Sequence, residues 1–449
     1  MLFRNEHTLY KSVCNLCGEN IISMYDPESQ LRVYCDRCWW SDAWDPTSYS
    51  KEYNFSKSFF EQWVELVKQF PLIQLWKFNN VNSDYINYAT ENKNCYLSAS
   101  VLNCEDSAYS YALDNSQNTY DSIFSNKLSW CYENIDSQNN YNSIYLKNCT
   151  NCIDSGFLFD CVNCQNCFMS SNLRNKKYFY KNIFYPESEY RKKISEIQTG
   201  NYSKLMNTLS EFKELEQGKS IHRFMQKINA ANCSGNNIQH CQNALLSFNV
   251  SNCEDVKYAV RLVGNKNTAD IFGAVQTELS YESVAPAFRG SGALFCITNR
   301  SSHNIEYSFL CNNSSHCFAC VGLNNKSYCI FNKQYTKEEY ENLVFKIKKH
   351  MEEMPYISAR GKVYKYGEFF PPEFSPFSYN ETIAQEYYPL DEEQATRQGY
   401  RWKRAENKKH AIDFKNENIP EDIKKTSVEI IGKVLECGHS RGKGRFILQ

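Results

Sequence analysis

The sequence predicts a mainly β protein with helical inserts, in which an N-terminal zinc ribbon is followed by two tandem β-solenoid modules. Three observations carry that prediction: a gapless internal repeat, cysteines spaced by nine or its multiples, and two Cys-x2-Cys knuckles near the start. Residues 161–190 lie on residues 311–340 at a fixed offset of 150, pairing Cys167 with Cys317, Asn175 with Asn325, Tyr178 with Tyr328, Asn182 with Asn332 and Tyr190 with Tyr340. Upstream, the Asn-Cys-Glu-Asp run at 103–106 returns at 252–255, displaced by 149, so a whole module is doubled. Stacked repeats bury a core only against their neighbours, which makes the duplication an architectural signal before it is a functional one.

The elements follow in order. Residues 1–55 form a zinc-ribbon head with the tryptophans Trp39, Trp40 and Trp44. A connecting helix is expected within 56–78, with Phe59, Phe60, Trp63, Val64, Leu66 and Val67 at helical spacing, Ser56 as N-cap and Pro71 beyond its end. The first solenoid module occupies 79–185. There the Cys steps 95 to 104, 104 to 131, 131 to 149 and 152 to 161 fit short Asn-turned strands with Cys and Tyr stacked coil upon coil, at a coil length left open. A helical insert follows at 186–228, broken at Gly200, and the second module spans 229–335, with a longer loop expected between Gly264 and Arg300. Thr336 and Glu339 are placed as the capping box of a helix over 336–355. Residues 356–449 read as an extended Pro- and aromatic-rich strap, a short amphipathic helix through Val434 and a basic tail.

At 449 residues and 42% hydrophobic content the chain can supply cores for two or three domains, which excludes a disordered protein. The 21 cysteines are odd in number and spread along repeats, unlike a dense secreted disulfide framework, so reduced buried thiols in a cytoplasmic or mitochondrial-matrix setting are expected. No run approaches a membrane span, and the start lacks the apolar core of a secretory signal.

Cys14 and Cys17, then Cys35 and Cys38, match the C-x2-C…C-x2-C spacing of a closed tetrahedral zinc site. Four protein ligands leave no open position, so one structural Zn2+ is expected and no catalytic one. Cys149, Cys152, Cys161, Cys164 and Cys167 invite a second site, but Cys164 is matched by Ser314 in the repeat, which packed thiols tolerate and a ligand set does not. The chain has no GxSxG, P-loop, GxGxxG or HExxH, so a non-enzyme without a small-molecule substrate is expected.

Charge is segregated. Residues 79–173 hold ten acidic against three basic side chains, residues 174–227 twelve basic against six acidic, and residues 401–449 twelve basic against seven acidic. In the tail Arg401, Lys403, Arg404, Lys408, Lys409, Arg441, Lys443 and Arg445 are the candidate nucleic-acid contacts, since basic clusters suit phosphate neutralisation. Trp39, Trp40 and Trp44 are candidates for base stacking, with core packing around the metal the favoured alternative.

Residues 39–46, 331–340, 368–372, 375–382 and 399–402 resemble a family of largely uncharacterised bacterial proteins in which a Cys-x2-Cys ribbon precedes a Cys- and Asn-rich repeat body. The resemblance implies one continuous architecture and no particular activity. The chain departs from the family pattern at its end, where Cys437 stands without a second cysteine pair and only His439 lies nearby.

The sequence thus predicts a zinc-binding scaffold, a structural subunit of a large RNA-protein assembly such as a cytoplasmic or mitochondrial ribosome. Its partners would be RNA and proteins, with no membrane. Two alternatives remain: a carbohydrate-binding or carbohydrate-cleaving β-helix, whose paired carboxylates would line a groove, and a scaffold for proteins alone.

Overall fold

The computed structural model describes residues 1–285, 288–404 and 411–436, and the backbone of 445–447. It is mainly β, with a few helices, and divides into two compact units: residues 1–102 with 223–403, and residues 103–222 with 404–449.

The repeat unit is three residues long. From Tyr88 to Tyr178 every third residue has φ between 41° and 59°, in the left-handed region. Asn and Asp tolerate that region because their short polar side chains bond locally, which accounts for the many Asn and Asp at this position. The next residue points into the core: Cys149, Cys152, Leu158, Cys161, Cys164 and Cys167 are all fully or almost fully buried. Parallel neighbours stand twelve residues, or four triplets, apart, so Leu146 lies beside Leu158 and Leu158 beside Ser170, and each such step of twelve is called a coil below. The nine-residue cysteine interval is therefore not the coil. Any inward position accepts a thiol, and inward positions recur every third residue, so multiples of three appear.

Hydrogen bonding explains why the interior is polar. In each triplet the first N–H donates to the next coil and the second to the previous one: Tyr141 donates to the Cys152 carbonyl at 2.9 Å, and Asp154 to the Tyr141 carbonyl at 3.1 Å. The third N–H, on the inward residue, has no backbone partner in that scheme. Where the inward side chain one coil earlier is polar it accepts that N–H, as Ser155 Oγ does from Cys167 at 3.2 Å, Ser137 Oγ from Cys149 at 3.2 Å and Asn140 Oδ1 from Cys152 at 2.8 Å. A buried N–H left without a partner costs on the order of 1–3 kcal/mol, so Ser, Asn and Cys fill positions where Leu would pack. On the outside, Asn139, Asn151, Asn163 and Asn175 form a side-chain ladder, each amide donating to the next.

Residues 235–331 follow the same rule. Ile305 lies beside Cys317 and Cys317 beside Cys329. Two irregularities interrupt it: Lys227 pairs with Ile238, one residue short, and Thr277 with Gly290, one residue long. The longer loop expected between Gly264 and Arg300 reduces, among the described residues, to that single extra residue, and the strand Lys266–Val284 fills most of the segment.

Both ladders end alike. Strand Lys177–Tyr180 turns back antiparallel into Ile183–Phe184, and Ser327–Ile330 into Lys333–Gln334. Asn182 accepts from the Ser171 N–H and Asn332 from the Val321 N–H. The rings of Tyr178 and Tyr190 lie 5.7 Å apart, and those of Tyr328 and Tyr340 5.8 Å apart.

In the unit containing the N-terminus, the hairpin of β1 (Tyr10–Val13) and β2 (Asn20–Ser23) precedes the short helix α1 (Asp36–Trp39) and the helix α2 (Phe59–Gln69). Ser58, not Ser56, caps α2, because Glu61 stands three residues after Ser58 and closes the capping box, while Asn54 to Lys57 form a turn. The helix covers only part of 56–78; Leu72–Ile73 and Lys77–Phe78 are strands. Its apolar stripe packs on the second ladder: Phe59 lies 5.0 Å from Tyr307 and 5.5 Å from Phe318, and Trp63 Nε1 donates to the Tyr307 carbonyl at 3.1 Å. The strap joins the same core through Phe370, 4.1 Å from Trp63, and contains two short helices, Ile383–Tyr387 and Glu392–Arg397.

In the other unit, Pro186 precedes α3 (Glu187–Ser195) and, past Gly200, α4 (Tyr202–Glu214). Phe212 packs with Phe157, Phe168 and Met169 of that unit's ladder. The predicted helix α5 (Lys337–Glu353), with Thr336 and Glu339 as its capping box, belongs to the first unit. The short amphipathic helix expected through Val434 does not form among the described residues 411–436. Isolated 3-10 turns at Asn416–Asn418, Ile423–Lys425 and Val428–Ile430 lead to the strand Val434–Glu436, since Pro420 and Gly432 interrupt any longer helical run.

Candidate metal centre

Two tight turns carry the four cysteines. Cys14 and Cys17 lie in the turn after β1, closed by the Gly18 N–H donating to the Cys14 carbonyl at 2.9 Å with Gly18 at φ 79°. Cys35 caps α1, and its sulfur accepts the Cys38 N–H at 3.4 Å. The Cys35 N–H in turn donates to Cys14 Sγ at 3.2 Å. All four sulfurs lie within 4.8 Å of one another, and Cys17 and Cys35 are 3.8 Å apart. Four thiolates around a tetrahedral ion at about 2.3 Å stand about 3.8 Å from each other, so the donor set fits a closed metal site. Among the described residues it is the one such cluster.

The electrostatics are uneven. Burial acts to raise the Cys14 thiol, but the amides of Cys35, Cys17 and Leu16 outweigh it and bring the group down to about 6. Burial, followed by the facing thiols, holds Cys38 well above its ordinary value, and burial also raises Cys35. Trp39 is buried beneath the site, and Trp44 lies against it at 5.1 Å with its Nε1 donating to the Cys38 carbonyl. Trp40 is partly exposed and packs near Phe78. Trp39 and Trp44 thus serve the core of the head.

The ladder cysteines bond to backbone. Cys149 Sγ donates to the carbonyls of Lys147 and Leu158 at 3.3 and 3.4 Å, and none of the described cysteines is in a disulfide.

Of the candidate nucleic-acid residues, Arg401, Lys403 and Arg404 are among the described residues. Arg401 donates to the carbonyls of Ser375 and Phe377, and Lys403 pairs with Asp26 and Glu28 at 2.6 Å, joining strap to head. Arg404 is exposed. Lys408, Lys409, Arg441 and Lys443, and the side chain of Arg445, lie outside the described residues, as do Cys437 and His439.

Two constellations escaped the sequence reading. Glu6 is fully buried and accepts from Arg4, from Arg261 at 3.1 Å and from Ser100 at 2.9 Å; nothing local in the sequence signals this long-range cluster. Asp121 and Glu133 stand one coil apart at left-handed positions, and Asp270 and Glu282 repeat them. Burial pushes all four carboxyls up, with the neighbouring acid adding to the effect at Glu133. The offset of 149 was the signal that could have found them.

No protein-family model and no curated protein sequence matches this chain. A solved structure described as a "putative acetyltransferase" from Desulfovibrio desulfuricans G20 is similar over 63% of this chain and 85% of its own, at 8% identity and a TM-score of 0.11, a likeness that carries no argument about activity. Among the described residues no helix is long and apolar enough to cross a membrane.

Proposed function

We propose that the chain is a non-enzymatic scaffold for protein partners, built from two twelve-residue β-solenoids and a head held by one structural zinc ion. Cys14, Cys17, Cys35 and Cys38 would hold the metal. The observation that carries the reading is the use of the second ladder: α2 and the strap dock on its last coils, and residues 46–52 of the head on its terminal hairpin, so these ladders work as platforms for other polypeptide. Arg401 and Lys403 are committed to bonds within their own unit, which favours protein partners over the RNA assembly that charge alone suggested. Sedimentation of the native protein through a density gradient tests this. A fast-migrating complex that survives RNase is expected; a complex dissolved by RNase favours the ribosomal reading, and a free monomer contradicts both.

One observation favours a second reading, a carbohydrate-acting β-helix: the carboxylate pair Asp121 and Glu133 recurs as Asp270 and Glu282, beside Tyr132 and Tyr281. Glycan binding or hydrolysis abolished by Glu133→Gln together with Glu282→Gln would establish it, and its absence from the wild-type chain would remove it.

A further inference from the structure

The two ladder ends have the same backbone, but a polypeptide segment from the head covers one of them. At the second end the Lys51 N–H donates to the Phe331 carbonyl at 3.0 Å, Asn332 Nδ2 donates to the Pro46 carbonyl at 3.1 Å, and Lys333 pairs with Glu52 at 2.6 Å. Phe331, which also packs against Tyr53 and Phe59, and Asn332 are 1% and 0% exposed. At the first end their counterparts Lys181 and Asn182 are exposed, and Ile183 and Phe184 replace the polar Lys333 and Gln334 while standing 57% and 60% exposed. Tyr178, Asn182, Tyr185, Glu189 and Tyr190 are identical to their copies at 328–340, so the two ends share the residues that shape the hairpin while the outward side chains at its turn are apolar at the first end and polar at the second.

We propose that the hairpin Tyr180 to Phe184 is a docking site for a short segment of another protein, lying as residues 46–52 lie on the second end, where a 3-10 turn over Pro46–Tyr49 leads into extended chain. Its backbone would offer a carbonyl to Asn182 and an N–H to the Lys181 carbonyl. An apolar side chain would stand where Glu52 stands, because Ile183 replaces the lysine that Glu52 meets. The occupant is not a second copy's head segment, since that segment is already engaged on its own second ladder. Burying two exposed apolar side chains supplies the drive, and the edge hydrogen bonds supply the register.

This rests on the scaffold reading, and its test is separate from the sedimentation above. The probe is a fluorescent synthetic peptide of residues 44–54 carrying Glu52→Leu, titrated with the full-length zinc-loaded chain. Saturable binding is expected, weaker by roughly tenfold for the unsubstituted peptide and for the chain carrying Ile183→Lys and Phe184→Gln. That chain should keep the wild-type unfolding midpoint, because both side chains are exposed. No saturable binding, or equal binding by the substituted chain, overturns the proposal. A concentration-dependent dimer of the wild-type chain that the same substitutions abolish also overturns it, by making a second copy the occupant. Failure here with an RNase-resistant complex in the gradient leaves the scaffold reading standing and removes only this site.

Discussion

An inward residue of a triplet fills space, and where it carries an oxygen it can also satisfy a backbone N–H one coil away. Ser155 does both: it donates to the Ile153 carbonyl at 2.8 Å and accepts from Cys167. Ser155→Ala should therefore cost about 1–3 kcal/mol although it removes a single oxygen from an apolar neighbourhood. Urea unfolding measures this, and a neutral Ser155→Ala would contradict the accounting of N–H groups. Glu6 raises a sharper case, because Glu6→Gln leaves the guanidiniums of Arg4 and Arg261 without their buried counter-charge, and about 3–5 kcal/mol is expected in the same assay. The four head thiols make a prediction about protons. Cys35 and Cys38 are held above the ordinary thiol value, so they are protonated at pH 7, whereas Cys14, brought down to about 6, is mostly ionised. Metal loading at pH 7 should release at least the protons of Cys35 and Cys38, read with a pH indicator in weak buffer. The affinity should fall as the pH drops through 6, where Cys14 also becomes protonated and competes with the ion.

At the scale of elements, some features were legible in the sequence and others were not, for identifiable reasons. The capping box of α5 and the Gly200 break between α3 and α4 depend on neighbours in sequence, and both were readable. The Cys-x2-Cys knuckles were readable for the same reason, because each pair sits in one tight turn. The coil was not. Its triplet places Asn, Asp, Tyr, Phe or Lys at the left-handed position and Ser, Cys, Leu or Asn inside, so no single residue type marks the period and cysteine alone reported a multiple of it. The strap was foreseen as extended, but its short helices depend on contacts with the N-terminal segment, such as the Ile383 N–H bonded to the Arg4 carbonyl at 3.0 Å. Docking of α2 gives this scale its own test. Gly322 holds φ 63°, and a Cβ there would stand 2.3 Å from the Phe70 ring, just past the end of α2. Gly322→Ala should destabilise the head and second ladder together by about 1–3 kcal/mol, seen as faster hydrogen exchange in α2. Unchanged exchange would mean that the helix does not seat on the ladder as described.

Across the whole chain, the duplication is unequal in use. Both ladders keep the same triplet rule, terminal hairpin and tyrosine pair, yet the second carries the strap on its last coils and a head segment on its end, while the hairpin of the first stays exposed with apolar residues. Net charge, near zero overall, did not reveal this, because the division lies in which side chains face outward at matched positions. The account depends most on the head being a metal-held element that covers the second ladder. Native mass spectrometry before and after chelation, coupled to hydrogen exchange, tests that link directly. The account predicts one zinc ion per chain, lost on chelation or on replacing Cys14 and Cys17 with Ser, with a simultaneous rise in exchange at residues 51–70 and 327–334. A chain without metal, or one whose metal leaves while those segments stay protected, would contradict it.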